Sequence, residues 1–246
     1  MSKQESRKGV NAFPNPRSEA PMELILFDCD GVLVDSEIIA CRILADLIGE
    51  YVPAMDRKRY ASAIFGSTDD QIVAAAEAEY GVRFPADFVE TAAETIKAAL
   101  EREVEATDGA DRALQTIDLP KGVVSNSPRD RVDRMLDRAG LGRHFGGDIF
   151  CAEMVARPKP SPDVYLLAAK RLNAAPTHCL AVEDSVAGAT AALAAGMTVI
   201  GYLGGRHIPV GHGDRMRALG VVTLVPHMDD LAAAIADLSQ GGQRVR

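Results

Sequence analysis

The sequence predicts an α/β protein with a doubly wound parallel sheet and an inserted all-helical domain. Three observations support this fold class. A short apolar run at residues 24–27 ends on two aspartates, as a buried parallel strand beside a binding crevice would. The roughly 65 residues that follow are helical in pattern and contain no convincing strand. From about residue 105 onward, short apolar stretches alternate with helices, which is typical of a parallel sheet.

The end of the first apolar run is the most informative part of the chain. Asp28 and Asp30 follow it with one residue between them, and Gly31 lets the backbone turn sharply at little steric cost. Because ligands bind beyond the carboxyl ends of strands in open α/β sheets, both carboxylates are expected at a binding edge. Repulsion and desolvation oppose such a pair, which indicates a cation or a reaction there. The alternative is two solvated acids at a strand end.

The pattern divides the chain into three parts. Residues 1–21 are polar, contain three prolines and predict a flexible N-terminal arm without the apolar segment of a secretory signal. We predict that the sheet-containing core domain comprises residues 22–36 and 105–240. We predict that a helical cap domain comprises residues 37–104. The expected helices and breaks of the inserted part are, in order, 36–50, 66–68, 71–80, 81–85 and 88–103.

The core pattern contains five further strands and at least three helices. Ser127 and Ser161 are each followed by a proline, so we expect them to cap helices that run to about Arg138 and Leu172. A third helix is expected over 186–195. The expected strands are 122–124, 148–150, 179–182, 198–203 and 221–225.

Four of the strand-end loops carry polar groups suited to phosphoryl chemistry. In a parallel sheet these loops share one edge, so their side chains can converge. Carboxylates suit a magnesium ion, a hydroxyl and amides at a helix start suit a phosphate, and a lysine offers a compact positive charge. An aspartate can also act as a nucleophile and form an aspartyl-phosphate. The groups, in chain order, are Asp28, Asp30, Ser125, Asn126, Lys159, Glu183 and Asp184.

The same loops resemble the four motifs of the haloacid dehalogenase (HAD) superfamily, in the right order. Residues 27–37 resemble its first motif, and residues 125–126, 158–163 and 182–185 resemble its second, third and fourth. The resemblance covers roughly residues 22–230. The inserted helices resemble the small cap of the subgroup that contains β-phosphoglucomutase and many sugar-phosphate phosphatases. The resemblance therefore implies a Rossmann-like HAD core with a helical cap.

The resemblance implies a role for each catalytic group. Asp28 would attack phosphorus and bind Mg²⁺. Asp30 would protonate the leaving alkoxide and later deprotonate the water that cleaves the aspartyl-phosphate, and it needs a raised pKa to do so. Lys159 would neutralise the phosphate and the Asp28 side chain.

The remaining roles concern binding. The Ser125 hydroxyl and the Asn126 amide would hold the phosphate. Asp184 would complete the metal site with the backbone carbonyl of Asp30, and Glu183 would be either a further ligand or a support.

The function that follows is a magnesium-dependent phosphatase acting on a small phosphorylated metabolite, with a sugar or polyol phosphate expected. A β-phosphoglucomutase-like mutase is the alternative, but Ala40 and Thr68 stand near the positions where those mutases carry a cap histidine and arginine. A dehalogenase of this superfamily usually lacks the second aspartate, so Asp30 argues against that activity. A non-catalytic binding protein is disfavoured because the aspartates and Lys159 are intact.

Composition limits the classes of partner. The net charge is −8, without a basic stripe, so nucleic-acid binding is not expected. No apolar run reaches membrane-spanning length. Four scattered cysteines without a CxxC pair predict reduced thiols in a cytoplasmic protein, and a monomer is the default.

Two further features are expected to be structural. We expect Asp35 to cap a helix and Glu37 to be an acidic residue in the first turn of that helix. The glycine-rich residues 204–207, together with His212, predict a flexible surface loop rather than a functional segment.

Overall fold

A computed structural model describes residues 21–64 and 69–240 of the chain. The predicted N-terminal arm at 1–21 therefore lies outside the described residues except for Pro21. The predicted break at 66–68 lies outside them as well.

Six parallel strands form one sheet. They are β1 Leu24–Phe27, β2 Lys121–Ser125, β3 Ile149–Cys151, β4 Cys179–Glu183, β5 Thr198–Tyr202 and β6 Thr223–Val225. Their order in the sheet is β3-β2-β1-β4-β5-β6. The strand order reverses between β1 and β4, which pair from Leu24 opposite Cys179 to Phe27 opposite Val182. This is the switch point of a doubly wound sheet, where a crevice opens at the carboxyl ends of the strands. The predicted fold class is confirmed.

Both faces of the sheet are covered, as the alternation of side chains along β1 shows. Ile25 and Phe27 join one hydrophobic cluster, and Leu24 and Leu26 join another. None of the four is more than 1% exposed. Successive side chains of a strand point to opposite faces, so an apolar run without polar interruptions requires cover on both sides. Each such side chain contributes on the order of 1.5–3 kcal/mol by burial.

Ten α-helices occur among the described residues. They are α1 Ser36–Tyr51, α2 Arg57–Ala63, α3 Asp69–Tyr80, α4 Phe88–Glu103, α5 Ala110–Thr116, α6 Arg129–Arg138, α7 Asp163–Arg171, α8 Val186–Ala194, α9 His212–Leu219 and α10 Leu231–Gln240.

Helices α1 to α4 are inserted between β1 and the rest of the sheet. Leu44 and Ile48 of α1 pack with Ile72 of α3 and Phe88 of α4 in a hydrophobic cluster separate from the two on the sheet. Ile96 and Leu100 of α4 belong instead to a sheet cluster. The division into a core at 22–36 and 105–240 and a cap at 37–104 stays a prediction.

Two predicted helix caps are wrong. The serines Ser127 and Ser161 were expected to be N-caps, but Pro128 and Pro162 occupy those positions and the helices begin one residue later. The Ser127 hydroxyl instead donates to Asp30 Oδ2 at 2.9 Å, and Ser161 donates to Asp163 Oδ1 at 2.7 Å. Competing acceptors thus take the hydroxyls away from the helix ends.

All four cysteines are buried and free. Among residues 21–64 and 69–240, no helix combines the length and the apolar character needed to cross a membrane.

Candidate active site

A cleft of about 870 Å³ opens at the carboxyl ends of the central strands. It lies where β1, β2 and β4 end, at the switch point of the sheet. Polar groups from five separate segments of the chain line it. They include Asp28, Asp30, Ser125, Lys159, Asp184 and His207.

Asp28 and Lys159 form a buried ion pair at the base of this cleft. Lys159 Nζ lies 2.7 Å from Asp28 Oδ1 and 2.6 Å from Glu183 Oε1. It also donates to the carbonyl oxygen of Val124 at 2.8 Å. An ammonium has three protons, and these three acceptors use all of them. The lysine is therefore fixed, and one oxygen of Asp28 is held while the other remains for chemistry.

The loop that carries Lys159 is held by the side chain of Asn126. Its Oδ1 accepts from the Lys159 backbone N–H at 2.9 Å, and its Nδ2 donates to the Lys159 carbonyl at 3.1 Å. The carboxamide of Asn126 thus positions Lys159 and is not directed at a ligand. Only the backbone amide of Asn126 is left for the phosphate role expected from the sequence.

Glu183 is a fully buried acceptor with several donors. Its Oε1 accepts from Lys159 and, at 2.6 Å, from the hydroxyl of Tyr165, while its Oε2 accepts from Ser185 Oγ at 3.2 Å. A Cβ added at Gly188 would come within 2.0 Å of both carboxylate oxygens, so the start of α8 packs directly against them. Of the two roles left open for Glu183, these contacts favour the supporting one.

Asp184 is held by two histidines that the sequence prediction placed in a flexible surface loop. His207 Nε2 lies 2.7 Å from Asp184 Oδ2, and His212 Nε2 lies 2.6 Å from the Asp184 carbonyl oxygen. Both histidines are buried, with exposed fractions of 9% and 7%. The surface-loop prediction is therefore wrong for these two residues: the chain after β5 folds back over the cleft and buries both imidazoles against Asp184.

Asp30 lies at the wall of the cleft, among hydroxyls. Its Oδ1 accepts from Ser36 Oγ at 2.7 Å, and its Oδ2 accepts from Ser127 Oγ at 2.9 Å and Ser125 Oγ at 3.3 Å. Arg131 Nη2 approaches Oδ1 at 3.4 Å. The Ser125 hydroxyl in turn accepts from the Ser127 backbone N–H at 2.9 Å. Asp30 and Ser125, predicted as acid/base and phosphate-binding groups, are thus in contact.

The centre of the cleft carries excess negative charge. One carboxylate oxygen each from Asp28, Glu183 and Asp184 lies within 4.8 Å of the others, and Lys159 supplies a single positive charge. Burial, together with the neighbouring acids, raises the pKa of Asp28 and of Asp184 well above the ordinary value. Burial alone would lower the pKa of Lys159, but attraction to Asp28 and Glu183 raises it instead.

This donor set fits a divalent cation that prefers oxygen ligands. Three carboxylates against one ammonium leave two negative charges, which such a cation would neutralise. Asp28 and Asp184 are the residues that would hold it, because the oxygens of Glu183 already accept from other side chains. The Asp30 carboxylate is not part of this acidic cluster.

The structure brings together all seven residues predicted for the site. Sequence reasoning missed Tyr165, Ser127, Arg131 and the two histidines. Ser127 was assigned to a helix cap, and Arg131 gave no signal apart from its place in the helix after the second loop. The histidines follow the end of β5, and position at the carboxyl end of a strand was the one signal that could have found them.

The family comparison agrees with this geometry. The family model described as haloacid dehalogenase-like hydrolase matches residues 22–196. This chain belongs to the haloacid dehalogenase-like hydrolase family, and the resemblance found in the sequence is confirmed.

Two relatives with assigned activities are sugar-phosphate phosphatases. The chain is 32% identical over 191 residues to the 6-phosphogluconate phosphatase of Escherichia coli K12, covering 76% of this chain and 85% of the relative. It is 29% identical over 185 residues to a fructose-1-phosphate phosphatase of the same organism, covering 72% and 94%. These relatives are consistent with a phosphoric monoester hydrolase.

Solved structures share the fold. A haloacid dehalogenase-like protein of unknown function from Agrobacterium tumefaciens has a TM-score of 0.81 at 36% identity, covering 89% of this chain and 99% of that one. A HAD family hydrolase from Deinococcus radiodurans, solved with bound phosphate and sodium, has a TM-score of 0.77 at 32% identity, covering 89% and 97%.

Proposed function

We propose that this protein is a magnesium-dependent phosphatase that hydrolyses a small phosphorylated metabolite, a sugar or polyol phosphate, through an aspartyl-phosphate on Asp28. The observation that carries the proposal is the contact of Lys159 Nζ with Asp28 Oδ1 at 2.7 Å inside a buried acidic cluster. A carboxylate with one oxygen held by an ammonium and the other beside an open cleft supports in-line attack on a phosphate that binds there.

The first step is transfer of the phosphoryl group to Asp28. The Asp28 oxygen not held by Lys159 attacks phosphorus, and the bond to the leaving oxygen breaks. Asp30 donates a proton to that oxygen, so the product alcohol leaves neutral. Lys159, the Ser125 hydroxyl and the backbone amide of Asn126 balance the charge on the phosphoryl oxygens. Bound at Asp28 and Asp184, Mg²⁺ would neutralise charge on the phosphoryl group and help to orient it.

The second step releases phosphate. Asp30, now a carboxylate, takes a proton from a water molecule, which attacks phosphorus and breaks the bond to Asp28. Inorganic phosphate leaves and the Asp28 carboxylate is restored. The hydroxyls of Ser36 and Ser127 orient Asp30 for both proton transfers, since each donates to one of its oxygens.

Hydrolysis is proposed over phosphoryl transfer between sugars. Ala40 offers no ionisable group where mutases of this subgroup carry a histidine, and the relatives named above are phosphatases. Their substrates, 6-phosphogluconate and fructose-1-phosphate, support a sugar-phosphate class.

The proposal includes a helical cap at residues 37–104 that closes over the core during the first step. Its own hydrophobic cluster supports a separately packed unit. The protein is further proposed to be a monomer, which light scattering after size exclusion tests. It is also proposed to work in the cytoplasm, which fractionation of the source cells tests.

The test is phosphate release from a panel of phosphorylated sugars, polyols and sugar acids, with Mg²⁺ and with a chelator. We expect magnesium-dependent release from a few related compounds. Interconversion of two sugar phosphates without release would favour the mutase. No turnover of any compound by folded protein would contradict the proposal.

A further inference from the structure

The segment that follows β5 contacts the acidic cluster at Asp184. This segment, residues 205–215, lies beyond the part of the chain that the family model matches. Its two histidines contact Asp184 at different atoms, one at the carboxylate and the other at the backbone carbonyl. Asp184 itself is 5% exposed, so both contacts are made away from bulk water.

The hydrogen bonds of His212 fix which of its nitrogens carries a proton. Arg215 Nη2 lies 3.2 Å from His212 Nδ1, and a guanidinium can only donate. Nδ1 of the ring must therefore accept. Nε2 then carries the proton and donates to the Asp184 carbonyl, which can only accept. Arg215, His212 and Asp184 thus form a directed chain of donors that ends on the backbone of the acid.

The ring of His207 occupies a space left by two glycines. A Cβ on Gly31 would lie 2.7 Å from His207 Cε1 and 2.1 Å from Asp184 Oδ2. A Cβ on Gly205 would lie 2.4 Å from His207 Cε1. None of these three distances is tolerated between real atoms, so the imidazole reaches Asp184 only because both Gly31 and Gly205 lack a side chain. Gly31 comes from the loop that carries Asp28 and Asp30, so the ring packs between two segments of the site.

We propose that residues 205–215 belong to the metal site and that His207 and His212 are positioning residues, which hold Asp184 by its Oδ2 and its carbonyl and leave Oδ1 for the cation. This inference rests on the proposed function, because it takes Asp184 as a metal ligand. A carboxylate whose second oxygen is hydrogen-bonded loses less freedom when it binds a metal, and removal of such a partner typically costs 10–100-fold in metal affinity.

A matched pair of variants tests the hydrogen bond separately from the ring. In His207→Gln the side-chain amide nitrogen can reach the position of Nε2, whereas in His207→Asn it stops short. Mn²⁺ is the probe, and binding is followed by the electron paramagnetic resonance signal of the free ion. We expect H207N to weaken Mn²⁺ binding by about 10-fold or more and H207Q to bind close to wild type. His227→Asn, at an exposed histidine, is the control and should leave binding unchanged.

Kinetics add a readout that a general loss of stability would not produce. With H207N, the Mg²⁺ concentration for half-maximal activity should rise by a similar factor, while kcat at saturating Mg²⁺ recovers. Thermal unfolding in chelator checks that both variants fold. If H207N does not fold, the pair H212N and H212Q makes the same comparison at the other contact.

The outcomes separate this inference from the proposed function. Equal Mn²⁺ affinity in wild type, H207N and H207Q would overturn the inference alone, and so would equal weakening in both variants. Wild-type protein that binds neither Mn²⁺ nor Mg²⁺ and releases no phosphate would instead overturn the proposed function.

Discussion

The ammonium of Lys159 lies 2.7 Å from Oδ1 of Asp28, which precedes it by 131 residues in the chain. The side chains of the two residues are 4% and 12% exposed, so the pair is buried at the base of the cleft. Because β1 and β2 are adjacent and Asn126, which follows β2, fixes the lysine loop, folding itself produces this contact.

Asp28→Asn should abolish turnover and leave the fold intact. An amide is nearly the same size as a carboxylate but a very poor nucleophile, so we expect kcat to fall by at least about 10³-fold. Phosphate release measures the loss, and Asp118→Asn, at an exposed aspartate that does not line the cleft, is the control. Full activity of D28N would show that another group attacks phosphorus.

Lys159→Met should both inactivate and destabilise the protein. It leaves Asp28 and Glu183 buried without their counter-charge, and breaking a buried pair in this way typically costs about 3–5 kcal/mol. Denaturant unfolding in chelator measures the free energy, with the exposed Lys170→Met as the matched control. Unchanged stability would mean that the cluster does not need the ammonium.

Tyr165→Phe should lower stability more than it lowers activity. The hydroxyl donates to Glu183 Oε1 at 2.6 Å, and its loss removes one of the donors to a fully buried carboxylate. We expect unfolding to become easier by about 1–3 kcal/mol. Tyr51→Phe, at a half-exposed ring, should change little. A loss of kcat as large as that of D28N would place Tyr165 in the reaction instead.

Stabilisation by Mg²⁺ should grow with pH. The pKa values of Asp28 and Asp184 are raised in the folded protein by burial, so between the unfolded and folded pKa values the folded state binds more protons. The free energy of unfolding of the metal-free protein therefore falls as pH rises through that window. Mg²⁺ competes with those protons and removes the repulsion, so it binds better at higher pH.

Thermal unfolding between about pH 5 and pH 8, with Mg²⁺ and with chelator, measures this effect. The difference in midpoint between the two conditions should increase across the range. In D28N the increase should be smaller, because one of the titrating acids is gone. A difference that is constant with pH would show that the metal does not bind at these carboxylates.

The sheet could be predicted because its evidence is local in the sequence. A doubly buried strand such as β1 must be apolar throughout, and the polar residues at its end stand out against that run. Short helices carried no comparable signal. Arg57–Ala63 and Ala110–Thr116 have seven residues each, too few for a periodic pattern. The first lies in the stretch that is helical in pattern but was not predicted as a separate helix, and the second was not predicted.

The predicted site residues lie no more than three residues from the end of a strand, or stand in a proline-framed loop. His207 and His212 have neither feature, and two histidines among glycines are typical of a surface loop. Their burial against Asp184 depends on the space at Gly31 and on the path of the chain after β5, and both are tertiary facts. The wrong cap at Ser127 has the same origin, because its acceptor Asp30 is 97 residues away.

The most direct test of the account is to trap the phosphoryl group on Asp28. In Asp30→Asn with p-nitrophenyl phosphate, the good leaving group needs little proton donation, but hydrolysis of the aspartyl-phosphate loses its base. We predict a burst of p-nitrophenolate equal to the enzyme concentration, followed by slow turnover. Acid quenching and peptide mass spectrometry should then find one phosphoryl group on Asp28, and none in the D28N/D30N double variant. A full burst with the phosphoryl group on another residue, or on none, would contradict the proposed mechanism.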